Sequence, residues 1–404
     1  MEDSEKDLLA LDRGYRFLLF SRVTRSIAVT FSMLSIPLYL YYVGISVLNI
    51  GFVIAGAMLF TVVLTLALGM LGDRKGFKLT LILAEIPYLA AMLILYFTQY
   101  LPLIYLAVIV GGIGGAPGAM RGSFSPGSTA LIGKNWPDPN ERVRRIGLLL
   151  SIGSFGAVGG AFLLYVEGVI SPMLGSIQAF RTLFLLAAGL MAASAMMLTL
   201  LKERAVQSRK NVIMSRESAN YSLRVILSNT LNGSGIGIAL SILPLWMSLR
   251  FGVSDASLGA IFTASYVATG FAAFASSRLS GTFARRGLRI SSYTRMLQGA
   301  MLLFIGLSPI FMLASILYVM RSFFAGFGAP MRSAININGI SGSDYGTATS
   351  VQGVSARLPM ASSGASGYLI GVGLPVPEEV GGLLQFLAGI TYYLSLRARF
   401  QKST

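Results

Sequence analysis

Apolar runs of about 20 residues recur along this chain, and they limit what it can fold into more than any other feature. Crossing some 30 Å of hydrocarbon takes a helix of roughly that length. A window of this size finds twelve runs, at about 17–43, 47–71, 79–99, 103–131, 145–168, 178–201, 220–249, 256–281, 290–308, 311–340, 346–372 and 379–397. Of the 404 residues, 54% are hydrophobic and only 12% are charged, against about 25% charged in ordinary soluble domains. A soluble fold of this length could not bury so much apolar surface. The expected class is an all-α integral membrane protein with twelve transmembrane helices.

Residues 1–16 mix Glu2, Asp3, Glu5, Asp7 and Asp12 with Lys6, Arg13 and Arg16. No small-residue cleavage site follows a short apolar core, so the first run is expected to stay in the protein as a helix. Cysteine and histidine are absent, which excludes disulfides, thiolate chemistry and histidine metal sites. A net charge of +16 would suggest nucleic acid in a soluble protein, but the placement of the charges points elsewhere. Basic residues cluster on the even-numbered connections: Arg74, Lys75 and Lys78; Lys134, Arg142, Arg144 and Arg145; Lys202, Arg204, Arg209, Lys210 and Arg216; Arg285, Arg286 and Arg289. Apart from Arg250, the odd-numbered connections have almost none. The positive-inside rule then predicts both termini in the cytoplasm, in a plasma-membrane protein whose partner is the lipid bilayer and not nucleic acid.

The chain also repeats itself. An offset of 211 lays Gly76 on Gly287, Met120 and Arg121 on Met331 and Arg332, and Gly153, Gly156 and Gly160 on Gly364, Gly367 and Gly371. An offset of 208 lays Gly44 and Gly51 on Gly252 and Gly259. Parallel repeats of this kind are a transporter signature. The predicted organisation is a six-helix bundle over 1–201, a cytoplasmic linker over 202–219 and a second bundle over 220–404, related by a pseudo-two-fold repeat.

After the second run the chain reads Gly69-Met-Leu-Gly-Asp73-Arg74-Lys75-Gly76-Phe-Lys78. This resembles the helix 2–3 signature of the major facilitator superfamily, G-x-L-x-D-R-x-G-R/K, and with the repeat the resemblance covers essentially the whole chain. Physically, the glycines allow a tight turn, and Asp73 can accept from the N-terminus of a neighbouring helix. Gly69, Asp73, Arg74 and Gly76, with Arg357 near the start of the eleventh run, are the expected conformational latch. In the second copy Ala284 replaces the acid. The Gly156-x-x-Gly159-Gly160 element lacks the proline that antiporters of the superfamily carry there, and reads first as close helix packing.

Ionisable residues inside the runs are functional candidates because hydrocarbon makes them costly. They are Arg22, Arg25, Glu85, Arg121, Arg321, Arg332 and Arg357. Arg22 and Arg25 either snorkel to the interface or form a coupling or salt-bridge group with Glu85. Glu85 is read as the one embedded carboxylate able to exchange a proton, and no carboxylate pair is expected at membrane depth. Arg121 and Arg332 lie near mid-span, on runs that line the central path in the fold the resemblance implies. Their guanidinium forks suit carboxylate, phosphate or sulfate; the other reading pairs Arg121 with Glu85 and Arg332 with backbone carbonyls. Arg321, Asn229, Asn232 and Asn336 complete the candidate substrate site. Tyr39, Tyr41, Tyr42 and Trp246 read as an interfacial belt.

No nucleotide-binding loop, metal cluster or cofactor motif is present in the sequence. The expected function is secondary active transport, by alternating access, of a small anionic or amphiphilic organic solute, with a coupling proton or counter-anion as a further partner. The chain is expected to be a monomer and not an enzyme. Two alternatives are hydrophobic multidrug efflux, with a Met-bearing cavity drawing on the 18 Met, and a receptor that binds without transporting.

Overall fold

The computed structural model describes residues 2–114, 124–136, 139–204, 215–278, 286–338, 340 and 345–400, and among them it is all-helical. The N-terminal half contains α1 (Glu2–Tyr42), α2 (Val47–Lys75), α3 (Phe77–Phe97), α4 (Leu101–Val110), α5 (Phe124–Asn135), α6 (Pro139–Leu174) and α7 (Ser176–Thr199). The C-terminal half contains α8 (Arg216–Leu240), α9 (Leu243–Phe251), α10 (Asp255–Arg278), α11 (Gly287–Leu307), α12 (Phe311–Asn338) and α13 (Tyr345–Arg357). A 3₁₀ segment (Leu358–Ala365), α14 (Ser366–Val372) and α15 (Val376–Phe400) complete it. Among the described residues seven helices are long and apolar enough to cross a membrane, and an eighth span results if the bent pair α8 and α9 is counted as one.

Helix boundaries follow local chemistry. Ser46 caps α2 by accepting from the Asn49 N–H. Gly76, at φ 99°, turns the chain from α2 directly into α3, a backbone angle that favours glycine. Pro244, in the first turn of α9, sits just past the 42° bend between α8 and α9, where its missing N–H could not have continued a straight helix.

Within the N-terminal half α1 packs on α6 and α7, and α3 on α7; within the C-terminal half α15 packs on α8 and α11, and α10 and α11 on α12. The glycines placed on a repeat are used differently in the two halves. A Cβ on Gly156 or Gly160 would strike α1, whereas one on Gly367 would strike Val47 of α2, across the boundary between halves. Further contacts across the boundary join α6 to α10, α1 to α9, and α2 to the 3₁₀ segment and α14. Among the glycines described, every close approach between halves falls at the end that carries residues 44, 175, 252 and 373: Gly51 on Ser363, Gly367 on Val47, Gly168 on Ala256 and Gly259 on Tyr165. Toward the opposite end, a Cβ on Gly69 or Gly147 would meet nothing within 4 Å, and Phe155 of α6 and Phe271 of α10 are 75% and 67% exposed.

Two residues of the expected interfacial belt are not at an interface. Tyr39 and Trp246 are fully buried. The Tyr39 ring stands edge-on to Phe180 and Phe184, and the Trp246 indole N–H donates to the Leu374 carbonyl. Their polar tips sit inside the protein, whereas Tyr41 and Tyr42 remain exposed.

Candidate functional site

In the N-terminal half the buried charges form one network. Arg25 donates through Nη1 to Glu85 Oε2 at 2.7 Å, with both side chains almost fully buried. Ser194 of α7 donates to Glu85 Oε1 at 3.3 Å and lies 2.8 Å from the Ser21 hydroxyl. Arg22 is 2% exposed, and its Nε and Nη2 have no partner among the described residues. Its guanidinium lies where a Cβ on Gly153 would project, so that glycine makes room for a charge. The rings add to the network, with Arg25 over Phe124 at 4.8 Å. Arg22 and Arg25 therefore do not snorkel, because their heads point into the bundle. Arg121, expected at the centre of this half, lies outside the described residues. Glu85 has Arg25 as its partner.

In the C-terminal half the hydrogen-bond partners of Arg295 and Arg332 are uncharged. Arg332 donates through Nη1 to Thr294 Oγ1 at 3.3 Å and through Nη2 to the Ala325 carbonyl at 3.0 Å. Arg321 donates to Gln385 Oε1 at 3.0 Å, and Gln385 donates in turn to Asn232 Oδ1 at 3.4 Å. Asn336 Oδ1 accepts from the Tyr392 hydroxyl at 2.7 Å. Arg295 of α11, in the apolar run at about 290–308, is not among the ionisable residues that the sequence singled out. Arg295 is 6% exposed, donates to Ser228 Oγ at 2.6 Å and to Asn229 Oδ1 at 3.4 Å, and stacks 5.0 Å from the Tyr392 ring centroid. Asn229, Asn232, Arg295, Arg321 and Arg332 thus come from α8, α11 and α12, linked by α15.

At the turn between α2 and α3, the acid in contact with the helix start is not one the motif named. The Glu203 carboxylate accepts from the Phe77 N–H at 2.9 Å, the Lys78 N–H at 2.8 Å and Lys134 Nζ at 2.6 Å. A Cβ on Gly76 would lie 2.9 Å from Glu203 Oε2. Arg74 is exposed and Arg357 half-buried; the Asp73 side chain lies outside the described residues.

Buried carboxylates not singled out in the sequence lie at the ends of the apolar runs, not at mid-span. Glu167 and Asp255 are both buried, as is Glu378. They escaped notice because each lies at the edge of an apolar run, where a window gives least weight. Among the described residues no group of three or more acidic side chains could hold a metal ion.

A bundle of long apolar helices with arginines turned inward is the architecture of a multi-pass membrane transporter. The profile of the Major Facilitator Superfamily matches residues 18–223, and the chain belongs to that superfamily. It is a transporter of that type and not an enzyme. Among curated proteins none matches the sequence. The fold is similar to that of the human organic anion transporter MFSD10 (TETRAN), at 14% identity and a TM-score of 0.63, over 94% of this chain and 99% of that one. It is similar to the nucleoside transporter NupG, at 11% identity and a TM-score of 0.69, over 95% and 99%. A POT family transporter in complex with 5-aminolevulinic acid matches at 12% identity and a TM-score of 0.75, over 96% of each chain.

Proposed function

We propose that this protein is a secondary active transporter moving a small organic anion by alternating access between two six-helix bundles, 1–201 and 220–404, joined by the linker 202–219. In this reading twelve spans cross the plasma membrane, with α4 and α5, α8 and α9, and α13 to α14 each forming one interrupted span. The basic connections and both termini face the cytoplasm, so the sealed end is the outer one. The fold neighbours are named for organic anions and nucleosides, and one holds 5-aminolevulinic acid, so the fold leaves the cargo open.

The observation that carries the anion is the C-terminal half itself. Among the described residues, Arg295 and Arg332 have only hydroxyl, amide, carbonyl and ring partners. Cations of this kind, buried at Arg295 and half-buried at Arg332, favour an anion that supplies the missing charge. The N-terminal half differs, because there Arg25 has Glu85. By sequence offset, Arg295 falls 210 residues after Glu85, within one residue of the repeat. The two halves are therefore opposite in charge at one related position.

The test is a thermal-shift screen of purified protein against carboxylates, phosphates, sulfates, sugars and lipophilic cations, since a ligand stabilises by RT ln(1 + [L]/Kd). Calorimetry on variants then follows. Arg332→Lys and Arg295→Lys keep the charge and lose the planar fork, and each is expected to weaken anion binding about ten- to a hundredfold, or roughly 1.4–2.8 kcal/mol. Unchanged affinity in both, or stabilisation by lipophilic cations alone, replaces this reading with hydrophobic efflux.

A further inference from the structure

At the sealed end, residues 165–168 of α6 lie directly against residues 256–259 of α10: Gly168 abuts Ala256, and Gly259 abuts Tyr165. Glu167 sits inside this seam. It is 0% exposed, and neither carboxylate oxygen accepts from an N–H or hydroxyl donor among the described residues. Asp255, the first residue of α10, is 4% exposed and interacts directly with the Glu167 carboxyl from the other half. Tyr42 of α1 donates to Asp255 Oδ2 at 3.2 Å, while Asp255 Oδ1 has no donor.

The charged and titratable groups of the surrounding helices do not neutralise this pair. From α1 come Tyr42, with Tyr41 beside it, and Tyr39 deeper in the bundle. Arg181 of α7 donates to the Tyr96 carbonyl at 2.7 Å, and Arg321 of α12 donates to Gln385. Arg250 of α9 is half-buried in the last turn of its helix. Among the described residues the ion pairs lie elsewhere, at Glu85, Glu141, Glu203 and Asp12.

Two ionised carboxylates buried face to face repel one another. One proton between them turns the repulsion into a charge-assisted O–H···O⁻ hydrogen bond. Here that bond spans the two halves of the protein. A cleft of about 440 Å³, lined by Tyr42, Gln99, Leu174 and Gln178 among others, borders the Tyr42 side of the cluster.

We propose that Glu167 and Asp255 hold a single proton between them and that this proton is the coupling ion of transport. When it is bound, the O–H of one carboxyl donates to the other and ties α6 to α10, keeping the outer end shut. When it is released to the water on that side, two carboxylates remain and drive the halves apart; no other bond is made or broken. The inference rests on the alternating-access reading above and supplies its coupling ion.

The experiment uses the full-length, cysteine-free chain in liposomes with spin labels on Leu48→Cys and Tyr368→Cys. These are exposed positions beside the contact between α2 and α14, and the distance between the labels is read against pH. In the parent the ratio of open to closed outer ends should rise about tenfold per pH unit around one midpoint, as release of one proton requires. Asp255→Asn and Glu167→Gln each replace the shared proton with an amide donor; both should stay closed and lose the pH response. A parent distance that ignores pH, or two variants that respond as the parent does, overturns the proposal. Should both variants fail to fold, Tyr42→Phe decides, because it removes only the hydroxyl that donates to Asp255: a displaced midpoint supports the shared proton, and an unmoved one overturns it. Anion binding is measured on the same preparation. A pH response without any anion ligand refutes the cargo and leaves the proton site standing, and an anion ligand with a pH-blind distance does the reverse.

Discussion

Arg25 and Glu85 show what a charge needs at this depth. The pair brings its own counter-charge, and Ser194 satisfies the other carboxylate oxygen. Breaking such a pair from one side leaves an uncompensated buried charge, at a cost of about 3–5 kcal/mol. Glu85→Gln should therefore lower thermal stability in detergent by that order, while Arg25→Met combined with Glu85→Leu should recover most of the loss. A double variant no more stable than the single would show that the pair is not the unit that matters. Residue types at mid-span were legible in the sequence, but partners were not. Spacing alone leaves Arg22, Arg25 and Arg121 all open as partners of Glu85, since which of them reaches the acid depends on helix rotation. Arg295 stands near the start of its apolar run, where the sequence gives no sign of which way the side chain turns.

At the scale of helices, the apolar period located the elements well and their breaks poorly. The interruptions at 241–242 and 358–365 lie inside continuous apolar runs, where only Pro244 and Pro359 mark them. The turn after α2 shows a related limit. Its glycine and basic residues were readable as a tight turn, but the acid on the α3 N-terminus comes from Glu203, 126 residues beyond Phe77. A carboxylate accepting two backbone N–H groups and a lysine is worth more than the usual helix cap of about 1 kcal/mol. Glu203→Ala is expected to destabilise the N-terminal half by about 1.5–3 kcal/mol, read as earlier exchange of the amide hydrogens at the start of α3. Exchange there at the parental rate would show that Gly76 and the packing of Phe77 set the turn by themselves.

For the molecule as a whole, what matters is that the contacts joining the halves at glycines are gathered at one end. Backbone-to-backbone approaches such as Gly367 on Val47 and Gly168 on Ala256 fit in the shut arrangement only, because they leave no room for intermediate slippage; packed interfaces of this kind switch between discrete states. If the halves rock about the site, tying the sealed end must stop transport without touching the arginines that bind cargo. The chain has no native thiols, so Leu48→Cys and Tyr368→Cys can be bridged by a short thiol cross-linker with no competing sites. Both side chains are exposed, at 42% and 65%, and Leu48 borders Gly367, the residue before Tyr368. The bridged protein should show no flux in proteoliposomes while binding the anion from the open end within about twofold of the parent Kd, a difference of less than 0.5 kcal/mol. Cleaving the bridge should restore flux. Binding lost together with flux would mean that the cross-link distorts the site, and flux that continues through the bridge would mean that the two halves do not alternate.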